Sequence, residues 1–174
     1  MEDFEKVLNS IIKDIRQDRY ENNEINIAKQ SPFSEDINKN ISTIKELKLY
    51  LSENLKEEFV TRLALIRDID IDFIDPKKHR TNLELMLSEK PPIDPITKST
   101  IHLHHIGQDF SAPFAELPQT IHSSPQYRFL LHHKNHTASW RQDEKKKKMF
   151  DKERKQYWKK RGEKILIEKS KQGK

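Results

Sequence analysis

The chain has 174 residues, 33% hydrophobic and 35% charged, with a mean hydropathy of -0.95 and a net charge of +5. That is enough for one ordinary domain, or a small domain with a helical attachment, holding a modest core and no large α/β sheet covered on both faces. No apolar run approaches the ~18 residues of a bilayer span, and the acidic start Met1-Glu2-Asp3-Phe4-Glu5 lacks the apolar stretch of a secretory signal. The absence of cysteine removes disulfides and thiolate chemistry, and the three glycines form no phosphate-cradling loop.

Residues 3–20 predict an amphipathic helix, with Phe4, Val7, Leu8, Ile11, Ile12 and Ile15 recurring at steps of three and four. Residues 22–34 read as a loop. A second helix is expected from Asp36, with Ile37, Ile41, Ile44, Leu47 and Leu51 along one stripe. Asn54-Leu55-Lys56-Glu57 has the form of a capping box and would open a third helix through Phe59, Leu63 and Ile66. The alternation Ile69-Asp70-Ile71-Asp72-Phe73 predicts a short strand or extended turn, closed by Asp75-Pro76.

Thr81-Asn82-Leu83-Glu84 is a capping box for a short helix ending near Glu89, and Pro91-Pro92-Ile93-Asp94-Pro95 then forces extended chain. Ile101–Gly107 is β-like, and a second extended piece runs from Ala112 to Leu117. His122 and Pro125 fall in a connection, and Phe129-Leu130-Leu131-His132 resumes apolar structure. A long helix is expected from Trp140 to Ile167, with Trp140, Met149, Phe150, Tyr157, Trp158, Ile165 and Ile167 as its apolar contacts. No internal repeat is visible. The fold class is therefore α+β and mainly helical. A helical region over 1–78 (an adaptor, a dimerisation element or a toxin remnant) precedes the chemistry-bearing domain at 79–168, and 169–174 form a disordered tail.

Charge and histidine are unevenly placed. Residues 134–174 carry 16 Lys and Arg against 6 Asp and Glu, whereas residues 1–133 carry 17 against 22. A cationic segment on a slightly acidic body suits a polyanion such as a nucleic-acid backbone. Seven of the eight histidines (His102, His104, His105, His122, His132, His133 and His136) lie within 35 residues. Imidazole is a common metal ligand and titrates near neutrality. Phosphodiester hydrolysis needs a proton acceptor for water and positive charge for the transition state and leaving oxygen. A neutral histidine and a divalent cation with open positions meet those needs. Adjacent His104 and His105 point to opposite faces of a flat strand, so both serve one site only where the strand twists or ends, which Gly107 permits. The alternative is that one of the pair faces a core and the other solvent.

The order Ile101-His102-Leu103-His104-His105-Ile106-Gly107-Gln108, Ala112-Pro113-Phe114-Ala115-Glu116-Leu117, His122 and Leu131-His132 resembles the LHH nucleases of the HNH/endonuclease VII (ββα-metal, or His-Me finger) superfamily. The likeness reaches upstream to Thr81-Asn82-Leu83-Glu84-Leu85-Met86 with Pro91-Pro92-Ile93. Downstream it reaches Phe150-Asp151-Lys152-Glu153-Arg154 and Tyr157-Trp158-Lys159, so that it covers roughly residues 80–161.

The resemblance implies a ββα-metal finger followed by a long basic helix. It further implies His104, His122 and His132 as ligands of one divalent ion (Zn, Mg, Mn or Ni) and His105 as general base. His122 would either ligate or orient the base. Gln108 and Glu116 match family positions, one to contact phosphate and the other to orient a histidine. In many relatives the last two motif residues sit close together, whereas ten positions separate His122 from His132 here, with His133 as an alternative ligand. His102 is either a support for the site or a surface residue, and His136 is a helix-entry residue. Lys145, Lys148, Lys152, Arg154, Lys155 and Arg161 would grip the nucleic-acid backbone, and Tyr157 and Trp158 would either stack on bases or pack in the core.

The implied activity is hydrolysis of DNA with little sequence preference, as in bacterial polymorphic-toxin nucleases held in check by a cognate, acidic immunity protein. Such a protein is cytoplasmic when made, without a signal peptide or membrane contact, and is exported to its target by a dedicated secretion system. The alternatives are an RNase of the same fold and a non-catalytic nucleic-acid-binding module with a structural metal.

Overall fold

The computed structural model describes residues 2–132 and 140–173, with the side chains of 2, 3 and 19–22 set aside. Its centre is a four-stranded mixed sheet of order β1-β2-β4-β3, built from β1 (Lys56–Phe59), β2 (Leu63–Ile66), β3 (Ile101–His105) and β4 (Phe114–Pro118). The two hairpins are antiparallel, and β2 runs parallel to β4 with Ala64 opposite Phe114 and Leu65 opposite Ala115. This sheet is small, as the composition requires, yet it is covered on both faces. One face packs on the end of α1 (Glu2–Gln30), on α2 (Glu35–Asn38), α3 (Ile44–Ser52) and α6 (Arg128–Leu131), through Ile27, Ile37, Leu47, Tyr50 and Leu131 against Leu65, Ala115 and Leu117. The other face carries α4 (Asn82–Leu87) and α7 (Glu144–Gln172), through Met86, Tyr157 and Trp158 against Ala64, Leu103 and Phe114.

Several expectations are corrected. The helix predicted over 54–66 is the β1–β2 hairpin. Asn54 adopts φ 55°, which ends α3, and the run Leu63-Ala64-Leu65-Ile66 is a central strand with Ala64 and Leu65 fully buried. A short apolar run of this kind has no period that separates strand from helix, and only the pairing partner on β4 decides. The sheet takes β1 and β2 from before position 78 and β3 and β4 from after it. Of the segment 22–34 only 31–34 is a loop, since α1 continues to Gln30, and the helix expected from Asp36 is broken into α2 and α3 around Asn40. His122 lies at the end of a short helix, α5 (Gln119–His122). The tail 169–174 is helical as far as Gln172. On α7, Tyr157 and Trp158 are buried core residues and so do not stack on bases, while Met149 and Ile167 are exposed.

A repeat does exist. Ile74-Asp75-Pro76 and Ile93-Asp94-Pro95 open two loops with the same plan, each closed by an isolated bridge, Ile74 to Thr81 and Ile93 to Thr100. His79 and Lys98 take the left-handed conformation at φ 53° and 57°. Asp75 N donates to Arg80 O at 2.8 Å, as Asp94 N does to Ser99 O. Each aspartate side chain also accepts a backbone N–H within its own loop, from Lys77 and from Thr97. Asn82 joins the two loops, donating to Asp70 O and Ile93 O and accepting from Ile93 N. The second loop delivers the chain into β3, which carries the histidine pair.

Two glycines set close approaches. Gly107 (φ 81°) turns the chain after β3, and an added Cβ would lie 3.0 Å from Asn40 O. At Gly162 a Cβ would meet Met86 Cβ at 3.1 Å, so the absence of a side chain lets α4 lie on α7.

Candidate metal centre

The register of β3 against β4 sorts the chemistry by face. His104 lies opposite Ala115 and His102 opposite Leu117, whereas Leu103 lies opposite Glu116 and His105 opposite Phe114. Side chains alternate along a strand, so His102 and His104 share the α5–α6 face and His105 shares the α7 face with Glu116.

On the first face, β3, α5 and the end of α6 bring three imidazoles together. Among the described residues, His104, His122 and His132 offer ligand nitrogens that all lie within 4.8 Å of one another. Their ring centroids are 5.2, 5.1 and 4.9 Å apart for the pairs 104–122, 104–132 and 122–132. His104 is 1% exposed, and neither of its ring nitrogens has a hydrogen-bond partner; the same holds for His122 Nε2. An unsatisfied buried polar atom costs about 1–3 kcal/mol. One nitrogen from His104 and one from His122, converging with a third imidazole, fit a cation, and the all-nitrogen donor set suits Zn, Ni, Cu or Fe. His132 Nε2 lies 3.3 Å from the His122 carbonyl oxygen, and as the donor there it leaves its lone pair on Nδ1. The alternatives His133 and His136 lie outside the described residues.

Ligation needs neutral rings, and burial supplies them. Burial first, then the neighbouring histidines and Arg141, hold His104 well below the ordinary histidine range. Burial also takes His122 down to about 3, helped by His132, His102 and Arg141. A folded-state pKa below the unfolded value of 6.5 means that the unfolded chain binds the proton first. Stability of the metal-free protein is then fully present above pH 6.5 and falls with pH toward 3, at up to about 1.4 kcal/mol per pH unit for each such ring. Thermal melts of the metal-free protein should agree at pH 7.5 and 6.5 and drop by pH 5.5. A flat profile across that range would contradict the burial of neutral imidazoles.

His102 is less peripheral than a surface reading allows. Its Nδ1 lies 3.0 Å from His122 Nδ1, with the rings edge to face at 5.2 Å. If His122 Nδ1 carries the proton, it donates to His102 and its lone pair sits on Nε2, the nitrogen without a partner. The signal in the sequence was the shared strand face of positions 102 and 104.

His105 occupies a different environment. It is 2% exposed and enclosed by Phe114, Trp140 and Phe150, at centroid distances of 4.9, 4.8 and 4.8 Å. Burial first, then the charges of Arg62 and Arg141, take its pKa down to about 3. Arg62 is itself held over the Phe114 ring at 4.2 Å, donates to Phe110 O and Ala112 O at 2.8 Å, and pairs with Glu153. Gln108 stands at φ 63° in the turn after β3, its N–H donating to His105 O at 2.9 Å.

Glu116 and Arg161 are corrected. The Glu116 carboxylate is wholly buried and accepts from Tyr157 OH, Arg161 Nε and Nη2, and Arg67 N, at 2.7, 2.7, 3.2 and 3.0 Å. It therefore ties α7 to the sheet, and its hydrogen bonds go neither to a histidine nor toward the open cleft. Arg161, 5% exposed, is spent on Glu116 and on Arg67 O, so it is no contact for nucleic acid. By contrast Lys145, Lys148, Lys152, Arg154 and Lys155 all lie on the exposed side of α7. Arg154 pairs with Asp151 and contributes to lowering the His102 pKa, behind burial.

The histidine cluster opens into a cavity of about 410 Å³ lined by His122, Ser123, Ser124, Pro125, Arg128, His132 and Arg141. Arg128 and Arg141 were missed in the sequence. Arg128 stands four positions before His132 and could have been found from that helical spacing, whereas Arg141 is brought in by tertiary folding alone.

A strand hairpin and helices that converge three imidazoles on one point, beside an arginine-lined cleft, suit a metal-dependent phosphodiester hydrolase. Residues 81–164 match the model of the LHH family, described as a nuclease of the HNH/ENDO VII superfamily with conserved LHH. The protein is accordingly a metal-dependent nuclease, acting on nucleic acid. No solved structure matches the chain. Among the described residues no helix is long and apolar enough to cross a membrane.

Proposed function

We propose that the protein is an endonuclease that hydrolyses DNA with little sequence preference, and that it acts as a bacterial toxin-type effector countered by an acidic immunity protein. The observation that carries the reading is the opening of the histidine cluster into the cleft of Arg128 and Arg141. Two guanidiniums at that mouth suit phosphate groups, which carry no base information, so the cleft grips any sequence alike. An acidic inhibitor would be steered to the same positive surface.

In this reading His104, His122 and His132 hold one divalent ion (Zn, Mg, Mn or Ni), which when bound supplies positive charge to the scissile phosphate and leaving oxygen. His105, the proposed acceptor of the proton from the attacking water, is neutral at pH 7 but lies across β3 from the cluster, so the role requires the pocket of Phe114, Trp140 and Phe150 to open to water. A phosphate held at Arg141 offsets one of the charges that depress the His105 pKa, and so raises its basicity when substrate is present. Lys145, Lys148, Lys152, Arg154 and Lys155 hold flanking phosphates, which makes binding steeply salt-dependent.

His102 fixes which His122 nitrogen offers its lone pair. Such outer partners typically tune metal affinity 10–100-fold. His102→Ala should therefore weaken Zn²⁺ or Ni²⁺ binding at least about tenfold in a calorimetric titration, with His102→Asp, which still accepts the bond, recovering most of it. Equal affinities for all three proteins would remove His102 from the site.

The function is tested by incubating the protein with supercoiled plasmid and with transfer RNA in parallel, in Mg²⁺, Mn²⁺, Ni²⁺ or Zn²⁺. Cleavage of plasmid in at least one metal, abolished by chelator, is the expected result. Cleavage of RNA alone would make the enzyme a ribonuclease. Salt-sensitive binding without cleavage in any metal would leave a binding module with a structural ion.

A further inference from the structure

α1 ends in the core through Ile27, but residues 4–18 are exposed all round, so this half of the helix stands clear of the body. It nevertheless carries an apolar stripe: Phe4, Val7, Leu8, Ile11, Ile12 and Ile15 are 74, 57, 45, 49, 37 and 48% exposed. A helix of this length with a one-sided apolar stripe is marginal in water unless the stripe is covered. We infer that the stripe is the contact surface for a second copy of the same chain, which docks by its own α1 in antiparallel register.

The spacing carries the inference. Phe4, Leu8, Ile11 and Ile15 follow the alternating four-three steps of a helix seam, and Asp18 interrupts the next position on that side. All six apolar positions form pairs whose numbers sum to 19: 4 with 15, 7 with 12, and 8 with 11. The stripe is thus its own partner when reversed, which is the requirement of a two-fold, isologous contact.

The area is sufficient. Six large apolar side chains, about half exposed, leave on the order of 600 Å² per chain, or roughly 1,200 Å² for two, at the lower end of specific interfaces. Residues 2–19 hold five acidic and four basic residues, a balance that disfavours an anionic lipid surface as the occupant. Cleavage chemistry plays no part in the contact, so its test stands apart from the nuclease assay.

Sedimentation velocity on the full chain should give a species of twice 20.8 kDa at tens of micromolar. Ile11→Asp should shift it to the monomer with an unchanged melting temperature, and Lys13→Glu, off the stripe, should leave the dimer intact. The chain has no cysteine, so orientation is read by oxidising Phe4→Cys and Ile15→Cys proteins. The antiparallel contact gives the mixed disulfide and neither homodimer. A wild type that stays monomeric at 100 μM, or a dimer indifferent to Ile11→Asp, overturns the inference. So does a monomer that binds phosphatidylglycerol vesicles. Homodimer disulfides at position 4 would overturn the antiparallel register.

Discussion

His104→Ala is expected to abolish both cleavage and the metal-induced rise in melting temperature, whereas His105→Ala should greatly slow cleavage and keep that rise. The two neighbours differ because they face opposite sides of β3. His104 enters the cluster with His122 and His132 with both ring nitrogens unpartnered, so its loss takes away a third of the donor set. His105 lies among Phe114, Trp140 and Phe150 and contributes no atom to the cluster. A positioned general base is worth about 10²–10⁴ in rate, so His105→Ala should lower the cleavage rate by that factor with metal affinity within about twofold. Differential scanning fluorimetry with and without Ni²⁺, alongside a plasmid assay, reads both. If His105→Ala cuts plasmid at the wild-type rate, its ring is an aromatic-pocket residue and the proton acceptor lies elsewhere.

The second large effect concerns stability. Glu116→Ala should destabilise the fold by about 3–5 kcal/mol, because it strands a buried guanidinium. Arg161 is 5% exposed and loses its carboxylate partner, and Tyr157 OH and Arg67 N lose their acceptor in the same step. For a chain of this size that loss corresponds to a fall of roughly 6–20 °C in melting temperature. The paired change Glu116→Leu with Arg161→Met removes both charges together and should recover much of the loss, as buried ion pairs replaced by apolar side chains often do. A Glu116→Ala protein that melts within 2 °C of wild type would mean that the carboxylate does not hold α7 to the sheet.

The consequence for the site is indirect but firm. Glu116 and Arg161 fix α7, α7 presents Phe150 to His105, and the exposed lysines ride on the same helix. A family position that reads as catalytic from its place in the motif is thus a structural tie. Four donors already surround its carboxylate, which leaves it no role at a phosphate.

The sequence by itself determined the chemistry-bearing pieces. Local rules sufficed for them: the Thr81 capping box is present as read, β3 ends just before Gly107, and α7 carries its lysines outward. His104, His122 and His132 were named from motif order, and they converge. What the tertiary structure alone decided follows from contacts between residues far apart in the chain. Whether Leu63–Ile66 is strand or helix depends on β4, some fifty residues later. The fate of Glu116 and Arg161 depends on each other across forty-five. Arg141 reaches the cleft, and His102 reaches His122, only because the sheet and helices bring separate segments together. Periodicity and capping report energies within a turn or two of chain, whereas burial and charge pairing are set by whatever the fold places opposite, and that has no local signature.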